Sequence, residues 1–162
     1  MRKFEISCAV EEYAGMDELP VEWQMLVAAA TTALDSAYAP YSQFRVGAAL
    51  LLENGTLVTG SNQENAAYPS GLCAERTAFF AAGHQYPGER ILAVAITTSY
   101  PMEKPIAPCG ACRQVMAEYE LKQDSGITVL MTGSNGKIFK VGSVRELLPM
   151  YFSGEWLKKD SN

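Results

Sequence analysis

Between Val21 and Tyr38 the apolar residues Trp23, Leu26, Val27, Ala30, Leu34 and Ala37 recur at spacings of three and four. That is the period of one helical face, so the segment predicts an amphipathic helix closed by Pro40. The stretch VGAALLLENGTLVTGSN (46–62) reads instead as two strands around Asn54-Gly55. This dipeptide suits the positive-φ positions of a tight hairpin turn. Helical composition returns at Cys73–Ala82, followed by a strand of buried type at Ile91–Thr97. A helix at about Cys109–Leu121 and a strand at Ile127–Met131 come next. Ser134-Asn135-Gly136 marks a second hairpin-like turn before a strand at Ile138–Val141, and a short helix at Val144–Leu148 ends before Pro149. Residues 1–19, acidic and irregular, read as an N-terminal arm. Helices alternating with strands and hairpins predict an α/β fold: a three-layer α/β/α sandwich with a mixed sheet of about five strands.

Composition narrows the class. The 162 residues, 48% hydrophobic and 19% charged, suit one folded domain over 1–162 and exclude a disordered chain. A net charge of -5 opposes a phosphate-neutralising surface, so no nucleic acid is expected as partner. No apolar run approaches the roughly 18 residues of a membrane helix. Glu5 and the Glu11-Glu12 pair interrupt any secretory signal, which makes the cytoplasm the expected location. In such a compartment the four cysteines point to metal ligands or reactive thiols rather than disulfides. The single histidine, His84, excludes any site built on two imidazoles, so a metal here must be held mainly by sulfur. His84 itself reads as a surface or helix-end residue, with Gly83 as helix terminator. Tyr38, Tyr41 and Phe44 read as core and turn residues, and Glu11-Glu12 as a solvated face.

Two segments carry candidate chemistry: Cys73-Ala74-Glu75-Arg76 and Pro108-Cys109-Gly110-Ala111-Cys112-Arg113-Gln114. Each opens a predicted helix, where the positive end of the helix dipole favours thiolates. Cys109 and Cys112 share the first turn. With Cys73 they make three ligands, which leaves the fourth position of a tetrahedral zinc for water, as in catalytic sites. Three thiolates overcompensate Zn²⁺. Arg76, three residues after Cys73 on the same face, can donate to the sulfurs and restore part of the metal's acidity. Glu75, about 200° around a regular helix from Cys73, reaches the same site only if that site lies over the helix end. Two other readings stay open on these residues alone. Cys8 can close a structural four-cysteine site, and Cys109-x-x-Cys112 by itself equally suits a redox pair.

Taken together, these segments resemble the small, tetrameric-type cytidine deaminases of nucleoside salvage. The resemblance runs over about residues 22–156. It is carried also by Ala39-Pro40-Tyr41-Ser42-Gln43-Phe44-Arg45-Val46-Gly47, by Gly60-Ser61-Asn62-Gln63-Glu64-Asn65-Ala66 with Tyr68-Pro69, and by Glu146-Leu147-Leu148-Pro149. It implies one zinc per chain on Cys73, Cys109 and Cys112, and Glu75 as proton shuttle in hydrolytic deamination of cytidine or deoxycytidine. It further implies that Asn62 and Glu64 recognise the sugar hydroxyls and that Phe44 lines the pocket near the base. Ala66 and Tyr68 fall in the segment lining the nucleoside site, and Phe152 reaches a neighbouring subunit's pocket in a homotetramer. Gln63 stands where an aliphatic residue is more usual in that family. The rival expectations are a deaminase for a cytosine-nucleoside antibiotic of the blasticidin type and, from another class, a structural zinc or thiol-redox protein.

Overall fold

The structure, a computed structural model that describes residues 1–157, opens with a strand where an irregular arm was expected: β1 (Glu11–Tyr13). Its three residues are too few to show a period. They pair antiparallel with β6 (Ile138–Val141), and Glu11 and Glu12 form ion pairs with Lys140 and Lys137. The glutamate pair is thus exposed, as expected, and also fastens a sheet edge. The remaining elements are α1 (Val21–Ala33), β2 (Val46–Leu52), β3 (Leu57–Ser61), α2 (Ala74–Gln85), β4 (Ile91–Thr98), α3 (Gly110–Gln123) and β5 (Thr128–Met131). The sheet order is β1-β6-β5-β4-β2-β3, six strands rather than about five. Only β4 and β5 run parallel, so the sheet is mixed as predicted.

Strand alternation assigns the layers. Val46, Ala48, Leu50, Leu52, Val94, Ile96, Val129 and Met131 join one core cluster with Ala74, Ala78 and Phe79 of α2 and Cys112 and Met116 of α3. Ala49, Ala93, Ala95 and Leu130 face the other way and pack with Leu26, Val27 and Ala30 of α1. One helix therefore covers one face and two cover the other, completing the α/β/α sandwich. Among the described residues, no helix is long and apolar enough to cross a membrane.

Several local expectations need correction. Helix α1 stops at Ala33 and continues only as a 3₁₀ turn, Leu34–Ser36, because the chain must unwind to pair Tyr38 with Asn62 and Gln63. Tyr38 and Tyr41 are more than half exposed, not core. Gly83 lies inside α2 instead of ending it. A Cβ there would sit 2.5 Å from the Tyr119 hydroxyl, so glycine admits the ring of α3 against α2. Helix α2 ends near Tyr86, ahead of Gly88 at φ +91°, with His84 exposed in its last turn. Val144–Leu147 is a single 3₁₀ turn capped by Ser143 rather than an α-helix. It is held by Glu120 of α3, whose buried carboxylate accepts from Val144 N and Ile127 N at 2.7 Å each and from the Ser143 hydroxyl at 2.8 Å.

Helix α2 lies on the sheet at backbone contact. A Cβ on Gly60 of β3 would meet Ala78 N at 2.5 Å and Ala74 O at 2.6 Å. Because the obstruction is helix backbone, it cannot rotate away. Gly60→Ala is therefore expected to lower unfolding free energy by about 3 kcal/mol, at the upper end of overpacking costs. Urea denaturation measures it; an unchanged midpoint would show that α2 is free to lift.

Candidate metal centre and adjoining cavity

Helices α2 and α3 begin beside each other, and each takes a cysteine as its N-cap: Cys73 (φ -72°, ψ 157°) and Cys109 (φ -68°, ψ 163°). N-cap backbone is extended while the next residue is helical, so each Cβ sits at the mouth of its helix. Cys112, one turn into α3, is fully buried. The three sulfurs all lie within 4.8 Å of one another, with Cys73 Sγ 3.9 Å from Cys109 Sγ and Cys109 Sγ 3.4 Å from Cys112 Sγ. Tetrahedral ligation with Zn–S bonds of about 2.3 Å requires sulfurs about 3.8 Å apart. Both the donor chemistry and the spacing therefore fit a zinc ion. Cys8 is exposed and outside this group, so the four-cysteine alternative has no geometric basis.

The thiols share charge unequally. A hydrogen bond from Cys112 and the guanidinium of Arg76 together hold the Cys73 thiol down to about 5, against the cost of its burial. Cys112, the donor in that bond and itself desolvated, is pushed up. Arg76 Nη2 lies 3.8 Å from Cys73 Sγ and 3.3 Å from Gly71 O, while its buried Nε has no partner among the described residues. Arg76 thus stands where the sequence placed it, as a positive charge against the thiolate cluster.

Glu75, only 4% exposed, occupies the first turn of α2, and burial raises its carboxyl above the ordinary range. The angular objection to pairing it with Cys73 disappears because the site does lie over the helix end. Cys73, Cys109 and Glu75 line one cavity of about 600 Å³, a size ordinary for small-molecule sites. Phe44, Asn62, Glu64 and Tyr68 line it too. Tyr38, Gln63 and Leu72 pair through their backbones, so Asn62 and Glu64 flank a bridged residue. Gln63, the departure from the aliphatic norm, donates from Nε2 to Ser36 O and Ser61 Oγ, anchoring that segment.

The Asn62 amide is already engaged: Oδ1 accepts from Val46 N at 2.8 Å and Nδ2 donates to Phe44 O at 2.9 Å. One N–H and one lone pair remain for a ligand. Glu64 Oε2 accepts from Tyr41 N and Ser42 N at 2.9 and 3.2 Å. The Ser42 hydroxyl foremost, and then these two backbone donors, lower its carboxyl. Two candidates are not brought to the cavity. Ala66 lies outside its lining, where neighbouring Asn65 takes part instead. Phe152 is 56% exposed and packs edge-on against Trp156, away from this chain's own cavity. Conversely, Tyr41, read as a core or turn residue, lines it, as do Ile106 and Ala107, which were not singled out; residues 106–107 lie in an aperiodic loop that gives no signal.

Residues 21–125 match the family model described as "Cytidine and deoxycytidylate deaminase zinc-binding region". A cytidine deaminase of Halalkalibacterium halodurans is 45% identical over 82% of this chain and 95% of its own length. A crystal structure of cytidine deaminase from Burkholderia pseudomallei superposes with a TM-score of 0.70 at 45% identity, covering 79% of this chain and 97% of that one. One from Mycobacterium tuberculosis gives 0.65 at 36% identity over 83% and 99%.

Metal uptake should displace protons, since Cys112 holds its proton and ligation needs thiolates. The reduced, metal-free protein is expected to bind one zinc per chain, releasing protons, with affinity falling as pH falls. Elemental analysis and pH-stat titration measure both. Zinc uptake undiminished by Cys112→Ala would break the ligand assignment.

Proposed function

The chain belongs to the cytidine and deoxycytidylate deaminase family, and we propose from that premise that its cavity takes free cytidine or deoxycytidine. The reaction is hydrolytic removal of the ring amino group, giving uridine or deoxyuridine and ammonia, in the service of pyrimidine salvage. The observation that carries it is the buried Glu75, its carboxyl raised by desolvation, in one cavity with Cys73 and Cys109. A purely structural zinc or thiol-redox role leaves both that carboxyl and the 600 Å³ cavity beside it without purpose.

In this reading Cys73, Cys109 and Cys112 hold the zinc. A zinc held there would acidify water and so supply the nucleophile. Glu75 takes a proton from the attacking water and gives it to the ring nitrogen beside the reacting carbon. Once the water oxygen has bonded to the ring carbon, Glu75 takes the remaining proton from that oxygen and delivers it to the amino group as the carbon–nitrogen bond breaks, so one carboxyl serves as base and acid in turn. Its desolvation suits this, because a carboxyl shifted toward neutral pH exchanges protons more readily in both directions. Arg76 offsets the excess negative charge of three thiolates, as its contact with Cys73 supports.

Asn62 and Glu64 bind the ribose hydroxyls with the atoms their backbone contacts leave over, and Phe44 flanks the base. Tyr68 and Asn65, which line the cavity, close the sugar side. Remote contacts of this kind convert binding energy into orientation of the reacting carbon. Phe152, exposed on this chain, is assigned to a neighbouring subunit's cavity in a cytoplasmic homotetramer of single-domain chains.

The test is the fall in ultraviolet absorbance when purified protein meets cytidine, with and without a chelator. Glu75→Ala is expected to keep one zinc per chain and the wild-type fold while kcat drops by at least about 10²-fold. A near wild-type rate in that variant would remove Glu75 from the proton path.

A further inference from the structure

Arg113 and Gln114, which follow Cys112 directly, have no part in the chemistry above. Neither lines the cavity. Arg113 is half-buried in the first turn of α3, where the positive end of the helix dipole makes a cation unfavourable. Something must compensate, and its hydrogen bonds show what. Arg113 Nε reaches back past the N-cap to donate to Pro108 O at 2.8 Å. Its backbone N–H donates to Cys109 O at 3.0 Å. The carbonyls on both sides of the Cys109 Cα are therefore held by one residue. Nη1 meanwhile donates to Leu147 O at 2.7 Å, in the 3₁₀ turn that Glu120 pins from the other side. Gln114 Nε2 adds a bond to Phe152 O at 2.8 Å.

We infer that Arg113 is a positioning residue for the metal centre, fixing the peptides that flank Cys109 and tying them to the Val144–Leu147 turn. Cys109 needs such a brace. It is exposed, it precedes the first residue of α3, and its peptide follows a loop without regular structure. Cys112 gets the same restraint from the buried body of the helix. The planar guanidinium suits the task because its donors diverge at fixed angles toward two carbonyls on separate segments. A lysine ammonium, a single point donor on a flexible stem, reaches one. Groups that orient metal ligands typically affect metal affinity by 10–100-fold.

This inference rests on the reading of Cys109 as a zinc ligand, and the experiment separates the two. Zinc-loaded wild type, Arg113→Lys, Arg113→Ala and Arg145→Lys are compared by zinc content, rate of zinc transfer to excess chelating dye, kcat and KM for cytidine, and urea denaturation. Arg145 sits in the same 3₁₀ turn and pairs with Glu120 at 3.5 Å, so it reports stability of the turn without touching Cys109. Arg113→Lys is expected to bind one zinc and release it at least about tenfold faster. Its kcat should fall while KM stays near wild type, and Arg113→Ala should release zinc faster still. Arg145→Lys should release zinc at the wild-type rate whatever its unfolding midpoint. Wild-type release rates in both Arg113 variants would overturn the inference, as would release that merely tracks the unfolding midpoint across all variants. A wild-type protein without stoichiometric zinc would overturn the metal-centre reading beneath it as well.

Discussion

Two helices start at the same place, and the site follows from that. Cys73 and Cys109 cap α2 and α3, and the sulfurs meet because both helices lie on the same face of the sheet with their N-termini together. The arrangement depends on backbone-distance packing. Gly60 lets α2 rest directly on β3, and Gly83 lets Tyr119 of α3 lodge against α2 while its hydroxyl donates to Phe79 O. Moving either helix by a methyl group's width would separate sulfurs that need about 3.8 Å of spacing.

The same packing makes the electrostatics work. Two helix N-termini aimed at one point supply partial positive charge for thiolates, and Arg76 adds a full one. Glu75 shares the helix end but is nine-tenths and more buried, so desolvation dominates and its carboxyl moves the opposite way from Cys73. Neighbouring groups on one turn of helix thus have their acidities moved in opposite directions. That division suits one to hold a cation and the other to carry a proton.

The cavity wall next to the hairpin is economical in a different sense. The Asn62 side chain is a structural clip between Phe44 O and Val46 N and still has a donor and an acceptor left over. Glu64 likewise closes the Tyr41–Ser42 turn with one oxygen. Residues that shape the wall are in this way the ones offered to a ligand, so they arrive pre-oriented at no added ordering cost.

Much of this was legible in the sequence. A helical period located α1, helical composition located α2, and turn signals with apolar runs located most strands. The Cys-Ala-Glu-Arg and Pro-Cys-Gly-Ala-Cys segments pointed to a sulfur-rich metal site, because one histidine excludes any site built on two imidazoles. Features set by contacts across the chain were not legible. β1 exists because β6 offers an edge, with Lys140 in it and Lys137 just before it; Gly83 is fixed by a ring 36 residues away rather than by a helix end. The Ile106–Ala107 wall and the reach of Arg113 to Pro108 and Leu147 have no periodic signature at all. The chain's local chemistry decided which atoms are available for zinc and protons. Tertiary packing alone decided that they meet, because a distance between sulfurs on two helices is a property of how those helices lie on the sheet.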